Sequence, residues 1–200
     1  MATVKYTLDE FVEDLKALRE RERELGAFLN AGSDLLERLV QHPNAIPQQF
    51  RVPAGDRNHG TYALYRENPG GEGILVTAVV WGPGDFAAAH DHHTWGLIGV
   101  LQNQIEETRY RRLDDRTKED WAKLEPDRVS CYKPGEVTVL TPDVDEIHRM
   151  DNPSDVPTAE IHVYGRDLLG LDRCRFDLET GKISRFVTQR YDNWPVAISG

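Results

Sequence analysis

The first part of the chain carries an apolar pattern that is typical of helices. Apolar residues recur there at intervals of three and four, which places them on one face of a helix. The first set is Leu8, Phe11, Val12, Leu15 and Leu18, and the second is Leu35, Leu36, Leu39 and Val40. Thr7 and Glu10 fit a capping box, so we expect the first helix to begin after Thr7. The pattern predicts helices that pack against a sheet.

From about Thr61 the pattern changes to short runs rich in β-branched and aromatic residues, separated by Gly, Pro, Asp and Asn. About ten such runs favour a β-sandwich or barrel. Pro69-Gly70-Gly71 predicts a hairpin turn between the first two strands, and the charged run from Leu113 to Asp127 predicts a solvated loop or edge. We therefore predict a helical segment over residues 1–50 packed on a barrel over residues 51–200, as a single structural domain.

Composition and charge narrow the class of protein. The 200 residues are 39% hydrophobic, the net charge is -10 and the pI is about 5.2. An acidic surface argues against nucleic acid and anionic membranes as partners, and an anionic substrate would need a local cation. Two cysteines, Cys131 and Cys174, suit free thiols in a reducing cytosol. The chain shows no apolar signal core or membrane span, so we expect a cytoplasmic monomer or small homo-oligomer.

The stretch AAHDHHTWG holds three of the seven histidines. In a strand, His90 and His92 point to one face and Asp91 to the other, so the two imidazoles can share a metal. His93 would face away unless a bulge intervenes. Five residues separate Gly84 from His90, which matches the glycine and H-x-H spacing of the first motif of cupins, a family of small β-barrels.

The second half of such a motif follows further along the chain. Gly135, Pro142, His148 and Asn152 stand in the expected order, and the spacing from Pro142 to His148 is one residue longer than usual. We therefore predict His148 as the third metal ligand, together with His90 and His92.

One departure from the cupin pattern bears on the chemistry. Cupins typically place a glutamate three or four residues after the second histidine, where this chain has Gly96 and Leu97. The site thus offers three neutral imidazoles, whereas most non-heme iron oxygenases use two histidines and a carboxylate. A substrate that brings an anion, such as a thiolate, would compensate for the missing charge.

Together these residues resemble the thiol dioxygenase family, the cysteine dioxygenase type I group of cupins. The resemblance runs over roughly Tyr62 to Arg173. Its markers are WGPG before the metal strand, HDH within it, His148, and the pair His162 and Tyr164. It implies a double-stranded β-helix barrel, Fe(II) as cofactor, and a small thiol and O2 as partners. The implied reaction converts a mercapto-carboxylate to its sulfinic acid.

Within that family, HDHxxWG resembles the bacterial 3-mercaptopropionate dioxygenase branch. Mammalian cysteine dioxygenases carry a cysteine near Gly96 that is crosslinked to the active-site tyrosine, so no crosslink is expected here. Glu160, His162 and Tyr164 alternate on one strand face. The resemblance implies that Tyr164 points its hydroxyl at the substrate and that His162 relays protons behind it. Glu160 replaces the family's serine, and either raises the pKa of His162 or binds another substrate group.

The residue that holds the substrate carboxylate is expected to be an arginine. The family uses an arginine or glutamine at the position of Leu64, which cannot hydrogen-bond. The bacterial branch has an arginine nine residues after the tyrosine, which here is Arg173. Arg66 is the fallback and Arg166 a competitor, since a guanidinium can hold a carboxylate through a bidentate pair.

Alternative functions remain open at this point. The substrate could be another thiol such as mercaptosuccinate, or the chain could be a non-catalytic cupin that binds a metal as a sensor. Other cupin enzymes, including isomerases, usually retain the glutamate that is missing here. The pair of His162 and Tyr164 favours an enzyme, because a mere binder does not require a proton relay.

Overall fold

The computed structural model describes residues 6–42 and 44–193. Helices α1 (Leu8–Arg21) and α2 (Leu25–Val40) are followed by a short 3-10 helix (Gln48–Phe50). The strands in the described residues are β1 (His59–Arg66), β2 (Glu72–Trp81), β3 (Phe86–His90), β4 (Gly96–Gln102), β5 (Ile105–Arg112), β6 (Leu124–Tyr132), β7 (Val137–Leu140), β8 (His148–Asp151), β9 (Thr158–Arg166), β10 (Arg173–Phe176) and β11 (Ile183–Phe186).

The strands form two antiparallel sheets with orders β1-β2-β9-β4-β7 and β11-β10-β3-β8-β5-β6. The inner orders β2-β9-β4-β7 and β3-β8-β5-β6 define a jelly roll, which is the double-stranded β-helix of cupins. A buried cluster with residues from both sheets, including Val79, Ile98 and Met150, fills the space between them. The predicted fold class, a mainly β cupin barrel with N-terminal helices, is therefore confirmed.

The helices pack on the first sheet, where their apolar stripes meet the outward-facing residues of the strands. Phe11, Leu15 and Leu36 share one buried cluster with Val76 and Ile161. The predicted capping box is present, since the Thr7 side chain accepts from Glu10 N and Glu10 accepts from Thr7 N. In the described residues, no helix is long and apolar enough to cross a membrane.

Two other local predictions can be compared with the structure. The turn Pro69-Gly70-Gly71 does lie between β1 and β2. The charged run begins as a loop after β5, but its last residues, from Leu124, already belong to β6. Both cysteines are free, with Cys131 exposed and Cys174 buried. The division at residue 50 stays a prediction, and its outer ends, residues 1–5 and 194–200, lie outside the described residues.

Candidate metal centre

Three imidazoles meet where β3 ends and β8 begins. His90 is the last residue of β3, and its antiparallel partner across the sheet is His148, the first residue of β8. His92 lies two residues beyond the end of β3, and its Nε2 is 3.0 Å from Nε2 of His148. The nitrogens that the three residues offer lie within 4.8 Å of one another. The structure thus brings together the three residues predicted as ligands.

The geometry fits a metal ion. His90 Nδ1 lies 2.8 Å from the carbonyl oxygen of Ala88, and His148 Nδ1 lies 2.6 Å from a carboxylate oxygen of Glu107. Both nitrogens must donate to these acceptors, so each Nε2 keeps its lone pair for the cluster. Two nitrogens at right angles on one metal, with bonds of about 2.1 Å, would lie about 3.0 Å apart, as the nitrogens of His92 and His148 do.

The electrostatics favour the form of histidine that binds metals. Burial lowers the pKa of His90 and His92 well below the usual value, and neighbouring imidazoles lower it further. Burial also lowers the pKa of His148, although the bond to Glu107 opposes this. The three rings are therefore neutral at pH 7, and a neutral imidazole is the ligand form.

Glu107 stands behind this cluster and was not predicted from the sequence. It is completely buried, with Oε1 at 2.6 Å from His148 Nδ1 and 2.9 Å from Arg109 Nε. Its Oε2 accepts from the Thr138 hydroxyl at 2.9 Å. Burial alone would raise the pKa of Glu107, but its bond to His148 and the nearby positive charges bring it to about 2. The carboxylate orients His148 and makes it a stronger ligand.

We expect the Glu107→Gln substitution to raise the metal dissociation constant by about 10- to 100-fold. Glutamine keeps an oxygen that accepts from His148, but it lacks the negative charge that increases the ligand strength of the ring. Calorimetric titration of the metal-free protein measures the effect. The matched control is Glu106→Gln, one residue away on β5 and not fully buried. Equal metal affinities for the two variants would contradict this role.

A second group of predicted residues lies together on β9. Tyr164 Oη is 2.9 Å from His162 Nδ1, and His162 Nε2 is 3.0 Å from Glu160 Oε2. The Trp81 indole N–H donates to the same oxygen of Glu160 at 2.5 Å. The ring of Tyr164 lies 4.9 Å from that of His92, and burial raises the pKa of the phenol. The three side chains thus form a hydrogen-bonded chain that ends beside the histidines, while their catalytic roles stay predictions.

The absence of a side chain at Gly96 leaves room for the ring of Tyr164. It is the partner of Tyr164 across the β4–β9 pair. A Cβ atom at Gly96 would lie 2.9 Å from a Leu140 methyl and 3.1 Å from two ring carbons of Tyr164. Any side chain there would require a neighbour to move, and glycine offers no sulfur for a crosslink.

The histidines and Tyr164 line a cavity of about 150 Å³ between the sheets. His162 and Arg173 also line it. The other lining residues are His59, Thr61, Thr77, Val79, Trp81, Met150, Leu168, Thr188 and Tyr191. The cavity is small but partly open to solvent, so it favours a compact molecule.

Arg173 is a buried cation in the wall of this cavity. Only 5% of it is exposed, its Nη2 donates to the Thr188 hydroxyl at 2.6 Å, and its guanidinium lies over the Phe186 ring. Its buried Nε has no hydrogen-bond partner in the part of the chain that the structure describes. No carboxylate of residues 6–42 or 44–193 lies within ion-pair distance of Arg173. Burial lowers its pKa from the usual value, and an anion in the cavity would relieve that cost.

The structure does not bring Arg66 to the cavity. Its Nε and Nη2 donate to Asp167 Oδ2 at 2.9 and 2.5 Å, in an ion pair that is almost fully buried. This guanidinium is already neutralised by a carboxylate of the chain, which removes the reason for assigning it to a substrate. The competitor Arg166 pairs with Glu72 at the surface.

The last described segment supplies cavity residues that the sequence gave no reason to choose. Thr188 and Tyr191 come from the chain after β11, and the Tyr191 hydroxyl donates to Asp167 Oδ1 at 2.6 Å. Asp192 then bonds to the backbone of Thr61 through main chain and side chain. The segment closes the side of the cavity along β1.

No protein-family model matches the chain. Among solved structures it is similar to an oxalate oxidase in complex with the substrate analogue glycolate, with 14% identity over 56% of this chain and 53% of that one and a TM-score of 0.41. It therefore spans about half the length of that chain. It is also similar to a cupin superfamily protein from Desulfitobacterium hafniense (12% identity, 58% and 84% covered, TM-score 0.42).

A cupin 2 conserved barrel domain protein from Salinispora arenicola is similar at 17% identity, with 60% and 84% covered and a TM-score of 0.40. At these identities and TM-scores, the similarities show neither the activity nor the substrate of this chain. The class of the protein follows from its own strand order and side chains: it is a cupin-type barrel with a cluster of three histidines that fits a metal ion.

Proposed function

We propose that the protein is an Fe(II)-dependent thiol dioxygenase that converts a small mercapto-carboxylate, such as 3-mercaptopropionate or a cysteine-like thiol, to its sulfinic acid. One observation carries the proposal. A neutral histidine cluster, a Tyr-His-Glu chain and a buried arginine that has no carboxylate partner among the described residues converge on one small cavity. Each part matches one need of that reaction.

The charges of the cavity suit a substrate with two negative groups. A site of three neutral imidazoles leaves the full charge of a divalent metal uncompensated, and a thiolate offsets part of it. Arg173 supplies a second positive charge in the same cavity. A short thiol with a carboxylate at its other end satisfies both, and a volume of about 150 Å³ excludes large substrates.

His90, His92 and His148 would hold the iron, with Glu107 behind His148. When bound, Fe(II) would supply open positions at which sulfur and O2 meet, together with the redox chemistry of the reaction. Arg173 would hold the carboxylate, which orients the sulfur toward the histidines.

The chain of Tyr164, His162 and Glu160 can hold a proton in two arrangements. A carboxylate only accepts hydrogen bonds, so His162 Nε2 carries a proton toward Glu160. A neutral His162 then accepts from the Tyr164 hydroxyl, whose oxygen offers lone pairs to the cavity. A protonated His162 donates to that oxygen instead, which frees the hydroxyl to donate to the substrate.

Glu160 accepts the hydrogen bond from His162 Nε2 in both arrangements. Its position is fixed by the indole of Trp81. The tyrosine oxygen can thus accept a proton when a thiol arrives and donate a hydrogen bond to charge that forms later. Accepting and returning a proton in this way is the role of a general acid–base group.

The test is O2 uptake after anaerobic loading with Fe(II). We expect uptake with 3-mercaptopropionate, cysteine or mercaptosuccinate, and a product that has gained two oxygen atoms by mass spectrometry. Cysteamine lacks the carboxylate that Arg173 would hold, so its uptake should be much slower. Iron binding without uptake for any of the four thiols would refute the dioxygenase and favour a metal-binding sensor.

A further inference from the structure

A second cluster of ligating groups lies on the reverse side of the segment that carries His90 and His92. Asp91 and His93 face outward, where they meet Cys174 of β10. The carboxylate, imidazole and thiol offer ligating atoms within 4.8 Å of one another. None of the three lines the inner cavity, so this cluster is separate from the histidine site.

The outer cluster is held by the backbone. Asp91 Oδ1 accepts from Cys174 N–H at 2.8 Å, and Asp91 N–H donates to the Cys174 carbonyl at 3.1 Å. These two bonds fix the carboxylate beside the cysteine and leave Oδ2 for another partner. The backbone of Cys174 therefore fixes the position of the Asp91 carboxylate.

His93 faces that second oxygen. Its Nδ1 is 3.1 Å from the Asp172 carbonyl oxygen, and its Nε2 is 3.1 Å from Asp91 Oδ2. With the ring proton on Nδ1, where it donates to that carbonyl, Nε2 offers a lone pair beside Oδ2, and a cation bound there would be ligated by both atoms.

The backbone of His93 has a φ of 52°, in the left-handed region where His, Asn and Asp are enriched among residues other than Gly.

We propose that Asp91, His93 and Cys174 form a second metal site, which takes a zinc-like divalent ion. Sulfur, nitrogen and oxygen ligands with one position left for water are typical of four-coordinate zinc. Bonds of about 2.0 to 2.2 Å at tetrahedral angles separate N and O ligands by roughly 3.4 Å, so the present 3.1 Å needs little adjustment.

Charge and access also fit this site. The metal binds the thiolate form of Cys174, so one proton leaves the thiol as the bond to sulfur forms. Carboxylate and thiolate then balance the two charges of the ion. The nearby guanidinium of Arg112 is committed to Asp114 at 2.8 Å, and the exposed side of His93 admits the ion and a water.

Titration of the metal-free full chain with Co²⁺ tests the site, because thiolate ligation produces a near-ultraviolet charge-transfer band that histidines alone do not. We expect two Co²⁺ per chain and this band. The Cys174→Ser variant should lose the band and bind one Co²⁺. The matched control Cys131→Ser, at the exposed thiol, should behave as the wild type, and His148→Ala should keep the band.

The variant His93→Asn tests the same site if Cys174→Ser fails to fold. Asparagine tolerates the left-handed backbone, and the side chain is at the surface, so the fold should be unaffected. We expect its affinity for the Co²⁺ that gives the band to fall by roughly tenfold or more. A wild type without the band, or a band that survives in folded Cys174→Ser, would overturn the proposal.

Discussion

The His148→Ala substitution is expected to abolish iron retention and, with it, thiol-dependent O2 uptake. It removes one of only three ligands from a site without a carboxylate in contact with the metal. It also leaves the buried carboxylate of Glu107 without its imidazole partner. The loss of iron affinity should exceed the 10- to 100-fold typical of groups that act through a ligand. Iron content after desalting and O2 uptake measure the two effects.

The control for this experiment is His42→Ala, which changes a histidine outside the cluster. This variant should retain iron at the wild-type level. Circular dichroism establishes that both variants are folded before their iron is compared. If folded His148→Ala retained as much iron as the wild type, the ligand assignment would be wrong.

The Arg173→Gln substitution is expected to lower kcat/KM for 3-mercaptopropionate by about 30- to 4,000-fold. Removing one partner of a buried charge pair costs roughly 2–5 kcal/mol, and each 1.4 kcal/mol is about tenfold. Most of the effect should appear in KM, because the guanidinium would bind the carboxylate in the ground state as well. Glutamine retains a hydrogen-bond donor and removes the positive charge, although its side chain is shorter than that of arginine.

Two comparisons isolate the role of that charge. Arg175→Gln changes an exposed arginine two residues along β10 that also lies over Phe186 but does not line the cavity. It should leave KM unchanged. Turnover of cysteamine, which has no carboxylate, should be equally slow in wild type and Arg173→Gln. An unaltered KM for 3-mercaptopropionate in Arg173→Gln would exclude Arg173 as the anchor.

The fold was predictable because its signals are local. Helical spacing with a capping box marks α1, and short β-rich runs with turn residues mark the barrel. The pairing of His90 with His148 followed from the spacing of two short motifs. The strand, however, ends at His90, so His92 belongs to the segment after β3. It still reaches the cluster, because the chain stays paired to β10 through Asp91.

Residues whose importance depends on long-range pairing were not predictable. Glu107 sits beside another glutamate in β5, and only the pairing of β5 with β8 brings it behind His148. The ion pair of Arg66 could not be seen in the sequence either, because its partner Asp167 lies 101 residues away. A β-bulge between Ala63 and Tyr65 also interrupts the strand alternation near Arg66.

Part of the cavity wall depends on the docking of the segment that ends in Tyr191 and Asp192. In this segment, Thr188 accepts a hydrogen bond from Arg173, and the Tyr191 hydroxyl donates one to Asp167. Asp192 accepts a hydrogen bond from the backbone of β1. An anion that binds between Arg173 and the histidines therefore also stabilises the docked form of this segment. By thermodynamic linkage, docking of the segment raises ligand affinity by the same factor by which the ligand favours docking, and ligand should protect these backbone amides from hydrogen exchange.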